Sequence, residues 1–207
     1  MQSIFSSILD AAAAKSERYR NNPELSEFLL VDGVDAIRGR VVRSVIIHGS
    51  KNVAEGYVHW RLYFQLCVAV DQVEESVEES VKESVEFNSQ KRIVGGITNL
   101  FITKRNYRVS TRVEKMGEYD IPFARKDVTV QDVIDIVLGP SKARDRYMLN
   151  ERGSGCRYWC KTVIGDLEEN RIIAEGSSDL LEDFFLGLNR DHGNQWIPYP
   201  MHQGTFY

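Results

Sequence analysis

Tyr57-Val58-His59-Trp60-Arg61-Leu62-Tyr63-Phe64-Gln65-Leu66-Cys67-Val68-Ala69-Val70 is a strand signature. Successive strand side chains alternate between the two faces of a sheet. Val58, Trp60, Leu62, Phe64, Leu66 and Val68 therefore share one apolar face, and His59, Arg61, Tyr63, Gln65 and Cys67 share the other. A period of two with one apolar side predicts a strand whose back lies on a core, as in an antiparallel sheet.

Working outward, Val41-Val42-Arg43-Ser44-Val45-Ile46-Ile47-His48 is β-branched and ends at Gly49, which predicts a preceding strand. Further strands are predicted at 84–89, 98–105, 107–114 and 118–123. This succession without intervening helices predicts an antiparallel sheet over residues 36–126. Within it, residues 73–85 repeat a Val-Glu-Glu-Ser-like unit every four positions. That segment predicts a solvated hairpin insertion over 72–84, or alternatively an acidic collar for a cationic substrate.

Both flanks read as helical. Ile4, Ile8, Leu9 and the run Ala11–Ala14 predict a helix over 2–20, and Pro23 opens a further turn toward Leu30, giving an N-terminal helical segment over 1–35. Past the sheet, Asp127 or Thr129 can cap a helix Val128–Leu138 that Gly139-Pro140 ends. A short strand at 146–150 leads through a glycine turn into a helix over 156–169. Ser177 is expected to cap Leu180–Leu188, closing a helical half over 127–190. The tail 191–207 holds Trp196, Tyr199, Phe206 and Tyr207, which are costly to leave in water and should pack across the surface. The fold class is thus α+β: an antiparallel sheet packed against a C-terminal helix carrying Cys156, in one domain over 1–207.

The bulk numbers narrow the setting. With 207 residues, 43% hydrophobic and 27% charged, the chain can bury a substantial core. No apolar run approaches the ~20 residues that cross a bilayer, so no membrane is expected as a partner. Met1–Asp10 lacks a basic stretch leading into an apolar one, and three cysteines make no disulfide framework, so a cytoplasmic location is expected. A net charge of −4 argues against nucleic acid as a partner. A local basic face from Lys104, Arg105, Arg108, Arg112, Lys115, Arg125 and Lys126 is interrupted by acidic residues. The oligomeric state is not legible.

Chemistry points to Gly153-Ser154-Gly155-Cys156-Arg157-Tyr158-Trp159-Cys160, where a glycine turn opens into the helix. The helix dipole there favours thiolate over thiol, glycines let a carbonyl approach, and free N–H groups can hold an oxyanion. His59 is the candidate base, with His48 in reserve. Asn88, or else Glu86, on the next strand is the candidate to orient the ring. Cys160 and Cys67 read as core residues, and His192 and His202 as surface or packing residues. Two thiolates at Cys156 and Cys160 do not complete a metal shell, so neither metal nor cofactor is expected. Trp60, Arg61, Tyr63, Arg157, Tyr158 and Trp159 are candidate substrate-binding residues around a small-molecule or peptide substrate.

The order of Val58-His59-Trp60 first and Gly155-Cys156-Arg157-Tyr158-Trp159 second resembles the permuted papain-like proteins, which include the lecithin:retinol acyltransferase group and the PPPDE peptidases. Residues 40–175 also resemble a family of small fungal proteins with the same His-Trp and Gly-Cys-Arg-aromatic-Trp motifs and a counterpart of Thr129–Ile134. The resemblance implies a papain-like fold with cysteine-dependent acyl transfer, or amide or thioester hydrolysis, through Cys156 and His59. The chain departs from the clan in carrying Gly155 where an asparagine precedes the cysteine, and in lacking a second histidine on the following strand. The alternative is a small-molecule-binding protein, or a tailoring enzyme of fungal secondary metabolism that uses no nucleophile. A third reading is a protein-interaction module docking through the acidic repeat or the tail.

Overall fold

A computed structural model of the chain describes residues 29–52, 56–67, 83–92 and 96–207. The expected helix over 2–20, the turn from Pro23 to residue 28, Val68–Val70 and most of the acidic repeat lie outside the described residues. Six strands form one sheet: β1 (Leu29–Asp32), β2 (Val42–Asn52), β3 (Tyr57–Leu66), β4 (Ser84–Lys91), β5 (Thr98–Arg105) and β6 (Lys115–Pro122). Their order is β1-β5-β4-β3-β2-β6. After the sheet come helices α1 (Val130–Leu138), α2 (Cys156–Glu169) and α3 (Ser177–His192), with β7 (Tyr147–Met148) paired to β8 (Thr205–Phe206). The protein is α+β.

The alternation of β3 holds in three dimensions. Trp60, Leu62, Phe64 and Leu66 are all buried, beside Val45 and Ile47 of β2, Val85 and Phe87 of β4, and Leu100 and Ile102 of β5. Helices α2 and α3 cover this face, with the Trp60 ring edge-on to Phe185 at 4.9 Å. β2 continues through Gly49 to Asn52, and glycine is required there because a Cβ would stand 2.7 Å from the Trp60 ring. The expected stop at Gly49 is instead a seat for an aromatic side chain.

Four further boundaries differ from expectation. Leu29–Asp32 is not the end of a helical segment but a strand, and it pairs with β5 in parallel, unlike the other, antiparallel ladders of the sheet. A run of Leu29, Leu30 and Val31 extends readily along an open strand edge. Residues 107–114 form a loop, not a strand. Their backbone is spent on the polar face of the sheet: Ser84 Oγ donates to the Tyr107 carbonyl (2.7 Å) and Gln65 Nε2 to that of Arg108 (2.8 Å). Helix α3 begins at Ser177, whose hydroxyl donates to the Ala174 carbonyl and caps nothing. The Glu168 carboxylate accepts from Gly176 N and Ser178 N instead, both at 2.8 Å. The strand expected over 146–150 is only the two residues of β7. Elsewhere the reading agrees: Thr129 and Asp132 form a reciprocal capping box on α1.

Candidate active site

β4 stays paired with β5 as far as Lys91↔Thr98, whereas its ladder with β3 ends at Leu62↔Phe87. The two central strands part there, and a cleft of about 960 Å³ opens between them. Even-numbered residues of β3 turn their backbone toward β4, as Leu66 does in donating to Glu83. Below Leu62 those groups lose their ladder partners, and the start of α2 fills the gap. The Cys156 thiol donates to the Val58 carbonyl at 3.8 Å, and the N–H groups of Trp60, Arg157 and Cys156 itself lie against the sulfur.

The glycine turn that delivers the thiol is built rigidly. Asn150 Oδ1 accepts from Arg152 N and Ser154 N, both at 3.0 Å. The Tyr147 hydroxyl donates to the Gly155 carbonyl (2.8 Å) and accepts from Gly204 N (2.9 Å), so one buried phenol fastens the turn to the tail. Gly155 sits at φ +139°, and a Cβ there would meet the Tyr147 oxygen at 2.5 Å. Only glycine fits this position.

His59, on the cleft side of β3, reaches across the parted strands to Asn88, with Nε2 2.7 Å from Oδ1. An amide oxygen only accepts, so Nε2 carries the proton and Nδ1 holds the lone pair. Burial first, and then the Arg61 charge, pull the His59 pKa from 6.5 to about 4, partly opposed by Asn88. Burial raises the Cys156 pKa above its usual 9.0, with the Trp60 N–H and the Arg157 charge pulling the other way and losing. The expected low-pKa thiolate is therefore corrected. The helix end does act on the sulfur, but desolvation outweighs it.

Cys156, His59 and Asn88 are thus brought to one place, with sulfur and imidazole lining the same cleft. The structure does not hydrogen-bond them to each other; the sulfur rests on the carbonyl of the residue preceding His59. Arg61 also lines the cleft, 3.4 Å from Glu86 through Nε. Glu86 is committed to Arg61 and Arg105, which removes it as an orienter. His48 lies buried against Tyr63 on the polar face and does not line the cleft.

The aromatic binding residues fare differently. Tyr63 and Trp159 are sealed in the interior, and the Trp159 indole donates to the Arg144 carbonyl at 2.8 Å. Trp60 is buried too but borders a small lobe beside Cys156. Tyr158 packs toward Phe206. Arg157 donates to the Pro198 carbonyl and lies over the Phe185 ring, beneath the tail, although it borders a second lobe at Cys156. Large apolar rings at strand and helix spacing serve the core first. Cys160 is fully buried, and Cys67 stands apart at the end of β3.

Two cleft features had no legible motif. One is the Trp60 N–H, freed only because the strands part. The other is the set of cations from separate strands and turns, Lys91 and Arg152 among them. Among the described residues no group of three His, Cys, Asp or Glu side chains could hold a metal ion, and no helix is long and apolar enough to cross a membrane.

Compared with known proteins, the chain matches no curated protein and no solved structure. A family match covers residues 43–207, which spans β2 to the tail and so includes Cys156, His59 and Asn88. The chain belongs to the family described as a domain of unknown function (DUF7770).

Proposed function

We propose that the protein is a cysteine-dependent acyl-transfer or hydrolytic enzyme of permuted papain-like type, in which Cys156 attacks, His59 moves the proton and Asn88 orients the ring. The observation that carries this reading is the 2.7 Å contact from His59 Nε2 to Asn88 Oδ1 inside the cleft that Cys156 lines. It leaves Nδ1 as the proton acceptor. The reading requires the Cys156 sulfur to leave the Val58 carbonyl and turn to that nitrogen.

The protonation states set the order of events. Thiol and neutral imidazole are the forms present near pH 7, so proton transfer accompanies attack and does not precede it. The sulfur adds to the carbonyl carbon while its proton passes to His59 Nδ1. The oxyanion is held by N–H groups of Cys156, Arg157 and Trp60. Collapse breaks the bond to the leaving group, which takes the proton from His59. Water or an acceptor then attacks the thioester, with His59 again as base, and the thiol is restored. Three free cysteines support a cytoplasmic setting.

A binding protein without a nucleophile is favoured by one observation, the engagement of the sulfur by the Val58 carbonyl and not by His59. An activated ester separates the two readings. With p-nitrophenyl acetate, the enzyme reading predicts an acetyl adduct on Cys156 by peptide mass spectrometry, and nitrophenolate release that Cys156→Ala abolishes. Equal release by wild type and Cys156→Ala, with no adduct, overturns it.

A further inference from the structure

The lining of the cleft is one-signed. It contains Lys51, Arg61, Lys91, Arg92 and Arg152 and, among the described residues, no carboxylate, in a chain whose net charge is −4. Two of these cations are offset from outside the cleft: Lys51 by Glu114 at 2.5 Å and Arg61 by Glu86 at 3.4 Å. Lys91 and Arg152 have no carboxylate partner among the described residues. Both line the cleft beside the turn that leads to Cys156. The Lys91 ammonium lies over Gly153, 3.0 Å from where a Cβ would stand, and Arg152 precedes that glycine on the turn.

A smaller lobe of about 180 Å³ adjoins the cleft at the sulfur, bordered by Trp60, Trp196 and Pro198 and by the guanidinium-bearing Arg152 and Arg157. The two lobes share Tyr57, Val58, Ser154, Cys156 and Arg152. A substrate at the sulfur therefore meets positive charge in both lobes.

We infer that the substrate is an anionic acyl compound, whose carboxylate or phosphate is held in the cleft by Lys91 and Arg152. Unpaired like charges at one cleft mouth repel each other, and an anion between them relieves that repulsion. The inference rests on Cys156 being the reacting thiol.

The test compares two alkylating probes that differ in charge, iodoacetate and iodoacetamide, at Cys156 by peptide mass spectrometry. Both react with the same thiolate, so their rate ratio cancels the thiolate fraction and reads the local field. The ratio is expected to fall roughly tenfold in K91Q/R152Q, and by a similar factor in wild type at 1 M NaCl. Both side chains lie at the cleft mouth outside the core, so the variant should fold. Protection against iodoacetamide by inorganic phosphate or by acetate, at matched ionic strength, then identifies the anion as phosphoryl or carboxyl by the stronger effect. An unchanged ratio in the double variant overturns the inference. The ratio does not depend on the base, so failure of the Cys156–His59 pairing would appear separately, as a His59→Ala rate equal to wild type.

Discussion

The two ends of helix α2 are built on opposite principles. At its C-terminal end, the buried Asp166 takes a two-pronged contact from Arg144 (2.6 and 2.8 Å) and an ion pair from Lys142 (3.0 Å). One turn on, Asn170 Nδ2 donates to the Asp166 carbonyl and Glu168 caps the next helix. At its N-terminal end no side chain caps the helix, Gly155 holds a conformation reserved for glycine, and two adjoining cavities reach the thiol. Polar groups are satisfied where the helix must be anchored and left available where a reactant must bind. Anchoring one end fixes where the other presents its sulfur.

The largest expected effect breaks the anchored end. Asp166→Ala leaves the Arg144 guanidinium, 14% exposed, without its partner. The loss should be about 3–5 kcal/mol in urea unfolding. If the two ends are independent, the ratio of Cys156 to Cys160 alkylation in the folded protein stays at its wild-type value. A change in that ratio would mean that the anchor also tunes the thiol.

Next in size is acid. His48 and His59 titrate near 6.5 when unfolded, but burial drops both to about 4 in the folded protein. Between these values the unfolded chain binds more protons, so stability falls as pH falls from 6.5 toward 4. The loss is up to about 3 kcal/mol per ring. His48→Gln should flatten part of that slope, seen in unfolding midpoints across pH. His48 belongs to the polar face and not to the cleft, so its removal separates fold stability from chemistry.

Much of this contrast was legible beforehand, and the rest was not, for physical reasons. The alternation in Tyr57–Leu66 and the glycine turn before Cys156 are local patterns, and they located the sheet, the helix start and the His59 strand. Asn88 was reachable by the rule that consecutive strands pair, but the register was not legible, and the contact with His59 forms beyond the last β3–β4 pair, Leu62↔Phe87. Desolvation of the thiol was not legible, because burial depends on what packs around it. The basic residues of 104–126 read as a face interrupted by acidic ones, and Lys104, Arg105, Arg108 and Arg125 are each paired with carboxylates. The cleft's cations are scattered from Lys51 to Arg152 and meet only through the parting of β3 and β4. A linear charge run therefore does not locate the cleft's positive charge.

The most direct measurement is the rate of Cys156 alkylation by iodoacetamide from pH 5 to pH 10, in wild type, Asn88→Ala and His59→Ala. If Nδ1 takes the thiol proton, wild type should exceed His59→Ala by on the order of 10²-fold near pH 7, with Asn88→Ala between them. The curves should converge above the raised thiol pKa, where the base is no longer needed. Three superimposed profiles that simply track ionisation of an isolated buried thiol would contradict the account.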